Sequence, residues 1–410
     1  MPEGAASQPP SSPTPLSQPS STRETPAWLS GIYAGICLYF FLAAINVMGS
    51  GLKTLAKMPG TGQRIEELFN AAENPFVPLL VSLLVTAIFQ SSSFTTSLII
   101  TLTAAGVLQV DAAVFAVMGA NIGTSVTGIL VSLGSWRIRH QFQRGFTAAL
   151  VHDIFNLLAV AVLFPIEWMF GPLIKSAGFV AGIVGFQTQG KQTSPIIVIT
   201  KPVVSTVEST AQQVFSSPTW VASAVAILGL VLLLVSLVFL VKNLKGALLR
   251  RIEGLFRTVF FRNDLVAGSV GAVTTVLVQS SSVTTSLIVP LAAAGALKLR
   301  QVFPFVLGAN LGTTVTGIIA ALAIVDDPAT AVNEKAVAAT VAISHVLFNI
   351  SGIAIWYPLK VVPMTLAQWY GGLATRSRGY AILFLVILFF VVPIMGILIT
   401  RWWSGPTPGP

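Results

Sequence analysis

The chain has 410 residues, of which 54% are hydrophobic and only 9% charged, and its formal net charge is +9. Soluble domains carry roughly 25% charged residues, so a soluble enzyme or a nucleic-acid-binding module is excluded and an all-α polytopic membrane protein is expected. Lys and Arg sit in short loops beside apolar stretches, where they set topology.

In chain order, residues 1–27 form a Pro/Ser-rich tail without apolar periodicity, expected to be disordered and too long and polar for the n-region of a signal peptide. Stretches able to cross a membrane follow at 28–52, 108–133, 145–168, 219–242, 301–325, 336–358 and 379–402. Cys37 is the one cysteine, which rules out a disulfide within the chain and a Cys-based metal site. His140, His152 and His345 do not make a metal cluster on their own.

Between these stretches lies a duplication. Gln90-Ser-Ser-Ser-Phe-Thr-Thr-Ser-Leu-Ile99 returns as Gln279-Ser-Ser-Ser-Val-Thr-Thr-Ser-Leu-Ile288, an offset of 189 residues, and residues 90–106 and 279–295 agree at 13 of 17 positions. Gly119-Ala-Asn-Ile-Gly-Thr-Ser-Val-Thr-Gly128 and Gly308-Ala-Asn-Leu-Gly-Thr-Thr-Val-Thr-Gly317 keep that offset, and His152-Asp-Ile-Phe-Asn156 returns as His345-Val-Leu-Phe-Asn349 at 193. The apolar arms around each Gln-Ser-Ser-Ser are too short to cross, so each reads as a re-entrant hairpin with its polar tip buried in protein. The organisation expected is two inverted-topology repeats, each with a re-entrant helical hairpin and a Gly-interrupted transmembrane helix. Repeat 1 covers 28–186 (hairpin 75–105), an external linker 187–218, repeat 2 219–358 (hairpin 264–296), an amphipathic segment and last transmembrane helix 359–402, and a tail 403–410.

The tips carry the chemistry. Ser91, Ser92, Ser93, Thr95 and Thr96, with Ser280, Ser281, Ser282, Thr284 and Thr285, offer hydroxyl donors and acceptors at membrane depth. Hydroxyl and backbone oxygens suit Na⁺, whereas O–H and N–H groups at a helix start suit an oxyanion. Asn121 and Thr124, with Asn310 and Thr313, supply polar groups at the expected breaks. Asp153 falls inside a span, where an acid calls for a cation. Plain readings compete: Ser/Thr and Gly as helix-packing residues, Asp153 paired with His152 or Arg144, and both span histidines as hydrogen-bonded structural groups.

At these motifs, with Ile199-Thr-Lys-Pro202, the chain resembles the sodium-dependent phosphate cotransporter family, the type II Na⁺/phosphate transporters, as a bacterial-type member. The resemblance covers about residues 28–400. It implies sodium-coupled uptake of inorganic phosphate, with both ions bound between the hairpin tips. Phosphate would then fall to Gln90, Ser91, Ser92, Ser93, Gln279, Ser280, Ser281 and Ser282. Sodium would fall to Thr95, Thr96, Asn121, Thr124, Asp153, Asn156, Thr284, Thr285, Asn310 and Thr313. An Asp after the motif His resembles electrogenic members, although Ile129 and Ile138 stand where those carry polar residues. The linker lacks the cysteines and the sequon of animal members, which favours a bacterial inner membrane. No cofactor is implied beyond co-transported Na⁺; the partners are phosphate, Na⁺ and the lipid bilayer, not nucleic acid, and a homodimer is compatible with this picture. Competing readings are a symporter for another oxyanion or a carboxylate and, more remotely, an intramembrane serine hydrolase, which needs one oriented nucleophile rather than a doubled cluster.

Lys242, Lys245, Arg250, Arg251, Arg257 and Arg262 make the 242–262 loop cytoplasmic, and Arg137, Arg139 and Arg144 do the same for theirs. The linker is then external, as is the loop with Asp326 and Asp327, and the count also puts the C-terminus outside. Single cysteines at Gln213 and Lys245, on a Cys37→Ala background, should react with an impermeant thiol reagent from opposite sides of the membrane. Labelling of both from outside intact cells would reject this orientation.

Overall fold

The structure is a computed structural model describing residues 27–58, 74–185, 195–259, 263–324, 326 and 333–403. The tail through Pro26, the stretch 59–73, Arg262, Asp327 and residues 404–410 lie outside the described residues. Among the described residues every regular element is a helix, and seven helices are long and apolar enough to cross a membrane, at the seven expected places.

The first half starts with α1 (Ala27–Ala56). A hairpin follows, α2 (Phe76–Phe89) and α3 (Ser92–Ala104), then α4 (Val110–Gly123), α5 (Val126–Ser132), α6 (Arg139–Phe170) and α7 (Pro172–Ile183). After α8 (Pro195–Val214) the second half runs α9 (Pro218–Val259), the hairpin α10 (Asp264–Val278) and α11 (Ser281–Ala293), α12 (Leu299–Ala323), α13 (Glu334–Trp356) and α14 (Val361–Arg376). The last span is α15 (Gly379–Val386), a π turn at Ile387–Val391, and α16 (Val392–Trp403). The π turn ends two residues before Pro393, which lacks the N–H for the regular helical bond and crowds the carbonyl four residues back.

Each hairpin arm has 13 to 15 residues, about 20–22 Å at ~1.5 Å per residue, short of a ~30 Å hydrocarbon core. The first arms lie against the glycine-rich helices of their own half. A Cβ on Gly119 would stand 1.9 Å from the Leu79 carbonyl oxygen, and one on Gly308 1.8 Å from that of Gly268. The second arms cross to the other half: α3 packs on α12 and α13, and α11 packs on α5 and α6. One large core joins Phe142, Phe146 and Phe155 of α6 to Phe303 and Phe305 of α12, and a second joins Phe41 of α1, Phe94 and Ile100 of α3 and Leu233 of α9. The outer feet of the hairpins are pinned differently. Phe76 meets Phe164 with ring centroids 4.7 Å apart, whereas Asp264 accepts from Lys360 Nζ at 2.6 Å and from the Tyr357 hydroxyl at 3.1 Å.

Two expectations change. The glycine segment of the second half does not interrupt its helix: α12 is continuous through Gly308–Gly317. Its glycines serve close approach instead, since Gly308 and Gly312 touch the backbone of α10. In the first half the break is real but slight, at Thr124–Ser125 between α4 and α5, with helical backbone angles retained. The segment expected as a linker also carries a 20-residue helix, α8. Its Val203, Val204, Val207 and Ala211 form a stripe that closes on Val47 of α1 and Val225 of α9, and Ser50 donates to Glu208 across the same contact.

Because Gly308 sits on backbone that cannot retreat, Gly308→Leu should lower the melting temperature in detergent by several degrees. Overpacking of this kind costs about 1–3 kcal/mol or more. Gly178, with nothing within 4 Å of its Cβ position, is the control, and Gly178→Leu should melt as the parent does.

Candidate functional site

Site geometry begins with two residues in an unusual backbone conformation. Gln90 (φ 53°) and Gln279 (φ 57°) are the only non-glycine residues with positive φ among the described residues. They are repeat mates, and each ends the first arm of its hairpin. A left-handed non-glycine residue costs of order 1–3 kcal/mol and persists where surrounding structure imposes it. Here it reverses the chain within two residues, so that the next helix starts at the tip and aims its N-terminus there. Ser91 and Ser280 become N-caps, their hydroxyls accepting from Phe94 N (3.2 Å) and Val283 N (3.3 Å). The following N–H groups, on Ser92 and Ser93 and on Ser281 and Ser282, have no intrahelical partner by position.

The tips meet. Ser93 donates to the Gln279 carbonyl at 3.1 Å and lies 3.3 Å from the Thr316 hydroxyl; Ser282 donates to the Thr124 carbonyl at 3.3 Å. Ser92, Ser93, Ser281 and Ser282 are all buried.

Below the tips the hydroxyls turn their protons away. Thr95 and Thr284 donate to the Ser91 and Ser280 carbonyls (3.2 and 2.9 Å), Thr285 to Ser281 O (2.9 Å), Thr124 to Ala120 O (2.9 Å) and Thr313 to Ala309 O (3.0 Å). With its hydrogen committed to its own helix, each threonine presents only lone pairs to the interior. Such a surface accepts; it suits a cation. Thr96 Oγ1 and Ser281 Oγ are buried with no partner, at a cost of about 1–3 kcal/mol each if left so.

An amide and imidazole network ties the halves together. His152 Nε2 lies 2.6 Å from Asn310 Oδ1, Asn310 donates to Asn156 Oδ1 (2.7 Å), and Asn156 donates to the Asn121 carbonyl (2.8 Å). Asn349 donates to Asn121 Oδ1 at 3.4 Å. Asp153 is fully buried, but its partner is neither His152 nor Arg144. Ser125 donates to its Oδ1, and its Oδ2 is free. Arg144 instead lies over Gly295. The second half has Thr314 and Val346 at the matching positions, and there the helix is unbroken, so the first-half break coincides with the one serine that reaches a buried carboxylate. His152 is hydrogen-bonded as expected; His345 is not, since both its ring nitrogens lack partners.

The expected phosphate residues and the asparagines therefore take different places. Ser92, Ser93, Ser281 and Ser282 line the converging tips; Gln90, at the exposed end, makes only a 3.5 Å contact with Thr127, and Gln279 accepts from Thr316 at 2.9 Å. Ser91 and Ser280 act first as caps. Asn156 and Asn310 are engaged with each other. Sequence reasoning missed Ser125, Thr86 (2.9 Å from the Thr95 hydroxyl) and Thr316, none of which stands out among the chain's many hydroxyls. No Lys or Arg occurs in residues 75–136, 145–174, 265–297, 301–334 or 336–359, so the segments that form the site carry no fixed protein cation.

Two helical hairpins whose polar tips meet among seven apolar spans are the arrangement of a membrane carrier. The chain matches the Na⁺/Pi-cotransporter family profile over residues 40–190 and 232–396, and it belongs to that family, one of carriers rather than enzymes. It is 32% identical over 438 residues to the sodium-dependent phosphate transport protein 2A of Rattus norvegicus, covering 89% of this chain and 67% of the relative. It is 30% identical over 454 residues to the sodium-dependent phosphate transport protein 2B of Homo sapiens, covering 89% and 64%. The chain thus spans about two thirds of the length of these relatives. No solved structure matches it at a significant level.

If the tips hold the substrate, Ser92→Trp and Ser281→Trp, each filling a buried position, should abolish transport while the protein stays monodisperse in detergent. Wild-type rates in both would show that the tips are not the site.

Proposed function

We propose that the protein is a sodium-coupled symporter that imports inorganic phosphate (HPO₄²⁻) across the plasma membrane, in this reading a bacterial inner membrane, with its halves as inverted repeats. The observation that carries this is the division of polar groups. Free N–H groups and serine hydroxyls gather at two helix starts, where an oxyanion binds. In the helices behind, threonine oxygens have their protons committed and Asp153 keeps a free Oδ2; oxygens of this kind bind a cation.

The missing Lys and Arg make the coupling. Carrying a divalent anion inward against an inside-negative potential costs about 4.6 kcal/mol per 100 mV, twice the ~2.3 kcal/mol per unit charge. Phosphate at these tips would also meet a low-dielectric surrounding with no fixed counter-charge. Sodium ions on the threonine oxygens supply that charge and then travel with the anion. In this reading Ser92, Ser93, Ser281 and Ser282 hold phosphate, Ser91, Ser280, Gln90 and Gln279 shape the tips, and Thr95, Thr96, Thr124, Thr284, Thr285 and Thr313 face sodium. Asn121, Asn156 and Asn310 form the platform beneath. Asp153 holds a further sodium with Ser125 and makes the cycle electrogenic. A homodimer belongs to the same reading.

Proteoliposomes should accumulate radiolabelled phosphate under an inward sodium gradient and not under one of potassium or choline; equal uptake in all three refutes sodium coupling. An imposed inside-negative potential should accelerate wild-type uptake but leave Asp153→Gly uptake, still sodium-dependent, unchanged. Equal acceleration of both would remove Asp153 from the charge count.

A further inference from the structure

The repeats match in sequence, but their polar contacts do not, and the mismatch has a pattern. In the first half His152 Nε2 meets Asn310 Oδ1 at 2.6 Å, and Asn310 also donates to Asn156. The mates of these residues are His345, Asn121 and Asn349. There the imidazole contact is absent: Asn121 turns its amide onto its own helix, donating to the Val117 carbonyl at 3.0 Å. Three buried atoms are left without partners, His345 Nδ1, His345 Nε2 and Asn349 Oδ1. The Thr86–Thr95 contact of 2.9 Å in the first hairpin likewise has no counterpart, for Thr275 Oγ1 is without a partner. At the tips the bias is reversed. Gln279 and Thr316 are joined at 2.9 Å with Thr316 1% exposed, whereas Gln90 is exposed and only 3.5 Å from Thr127.

Buried polar atoms without partners are costly, and nearly all find one. His345 Nε2, Asn349 Oδ1 and Thr275 Oγ1 are orphans whose mates on His152, Asn156 and Thr86 are bonded, and in the opposite sense Thr96 Oγ1 is an orphan whose mate Thr285 donates to Ser281 O; such a mismatch is what results when two like halves adopt two different conformations. A carrier made of such halves can change orientation by letting them exchange conformations. We propose that His152 and His345 are positioning residues that hold the opposite half's motif asparagine in alternation: His152 holds Asn310 in the state seen here, and His345 holds Asn121 in the oppositely oriented state. In the exchange Asn121 leaves Val117 and comes to lie between His345 and Asn349, as Asn310 now lies between His152 and Asn156. The tip contact passes from Gln279–Thr316 to Gln90–Thr127. Both histidines act as hydrogen-bonding groups, and neither is a ligand of phosphate. This inference rests on the carrier reading above and adds the residues that mark its two states.

The test is a signed one. Single cysteines replace Thr127 or Thr316 on the Cys37→Ala background, and a small methanethiosulfonate reagent is applied to protein in nanodiscs, where both faces are open. In the parent, Thr127→Cys should react faster than Thr316→Cys. His152→Ala removes a contact belonging to this state, so labelling at 127 should slow and at 316 quicken. His345→Ala removes a contact belonging to the other state, so labelling at 316 should slow further. The ratio of the two rates should move roughly tenfold in each direction, the effect of losing one buried hydrogen bond of ~1.4 kcal/mol. His152→Gln and His345→Gln, whose amides can replace the imidazole Nε2, should restore the parent ratio. His152→Ser and His345→Ser carry the signs of the alanine variants and keep the test open if those do not fold. Shifts of the same sign for both histidines, or no shift, would overturn the proposal. The labelling requires neither ion, so that result is separate from a failure of sodium-dependent uptake.

Discussion

Lipid offers no hydrogen bonds, and this constraint shapes every polar contact described above. A backbone or side-chain group inside the bundle must find its partner in the protein, in water that enters a cavity, or in a substrate. Most hydroxyls here comply by bonding to a carbonyl one turn back in their own helix. That solution has a chemical consequence, because it leaves the oxygen lone pairs as the only feature each hydroxyl shows to its neighbours. Lining a space with such residues creates an acceptor surface without a single full charge.

The tips work the other way. A left-handed glutamine is an unfavourable residue to place at a turn where glycine would be relaxed. The glutamine side chain is what the position gains: Gln279 accepts from Thr316 of α12, and Gln90 faces Thr127. The turn also brings the N-terminus of α3 or α11 into the interior of the bundle, where its N–H groups are the donors most in need of an acceptor. Acceptor and donor surfaces sit next to each other because the hairpins enter from separate halves and meet in the interior. Close packing of the first arms on Gly119 and Gly308 fixes how far in they reach. Packing and capping are thus one construction, and a change in either is felt at the tips.

The hairpins could be read from sequence because Gln-Ser-Ser-Ser interrupts an apolar run at a length that no crossing helix would tolerate, and because the interruption recurs. The spans could be read because roughly 20 apolar residues admit few alternatives. Other features could not. Glycine permits both a helix break and close contact between helices, so the segments around Gly119 and Gly308 look alike, while only the first contains a break. The helix α8 was hidden because its stripe of valines is short and set among prolines and polar residues. Ser125 gains its importance only from register, which brings it against Asp153 from 28 positions away. The partners of buried side chains are three-dimensional facts: His152 and His345 are the same residue in the same motif, and only one of them is satisfied.

In the proposed function the anion is held by donors too weak to bind it until cations occupy the threonine oxygens. Coupling of this kind is reciprocal: whatever factor sodium lends to phosphate affinity, phosphate must lend to sodium. The most direct measurement is equilibrium binding of radiolabelled phosphate to the purified protein at constant ionic strength, with sodium replaced stepwise by potassium. Phosphate affinity should rise steeply with sodium and fall below detection in potassium alone, and added phosphate should tighten sodium binding by the same factor. Phosphate binding of equal strength in sodium and in potassium would contradict the account.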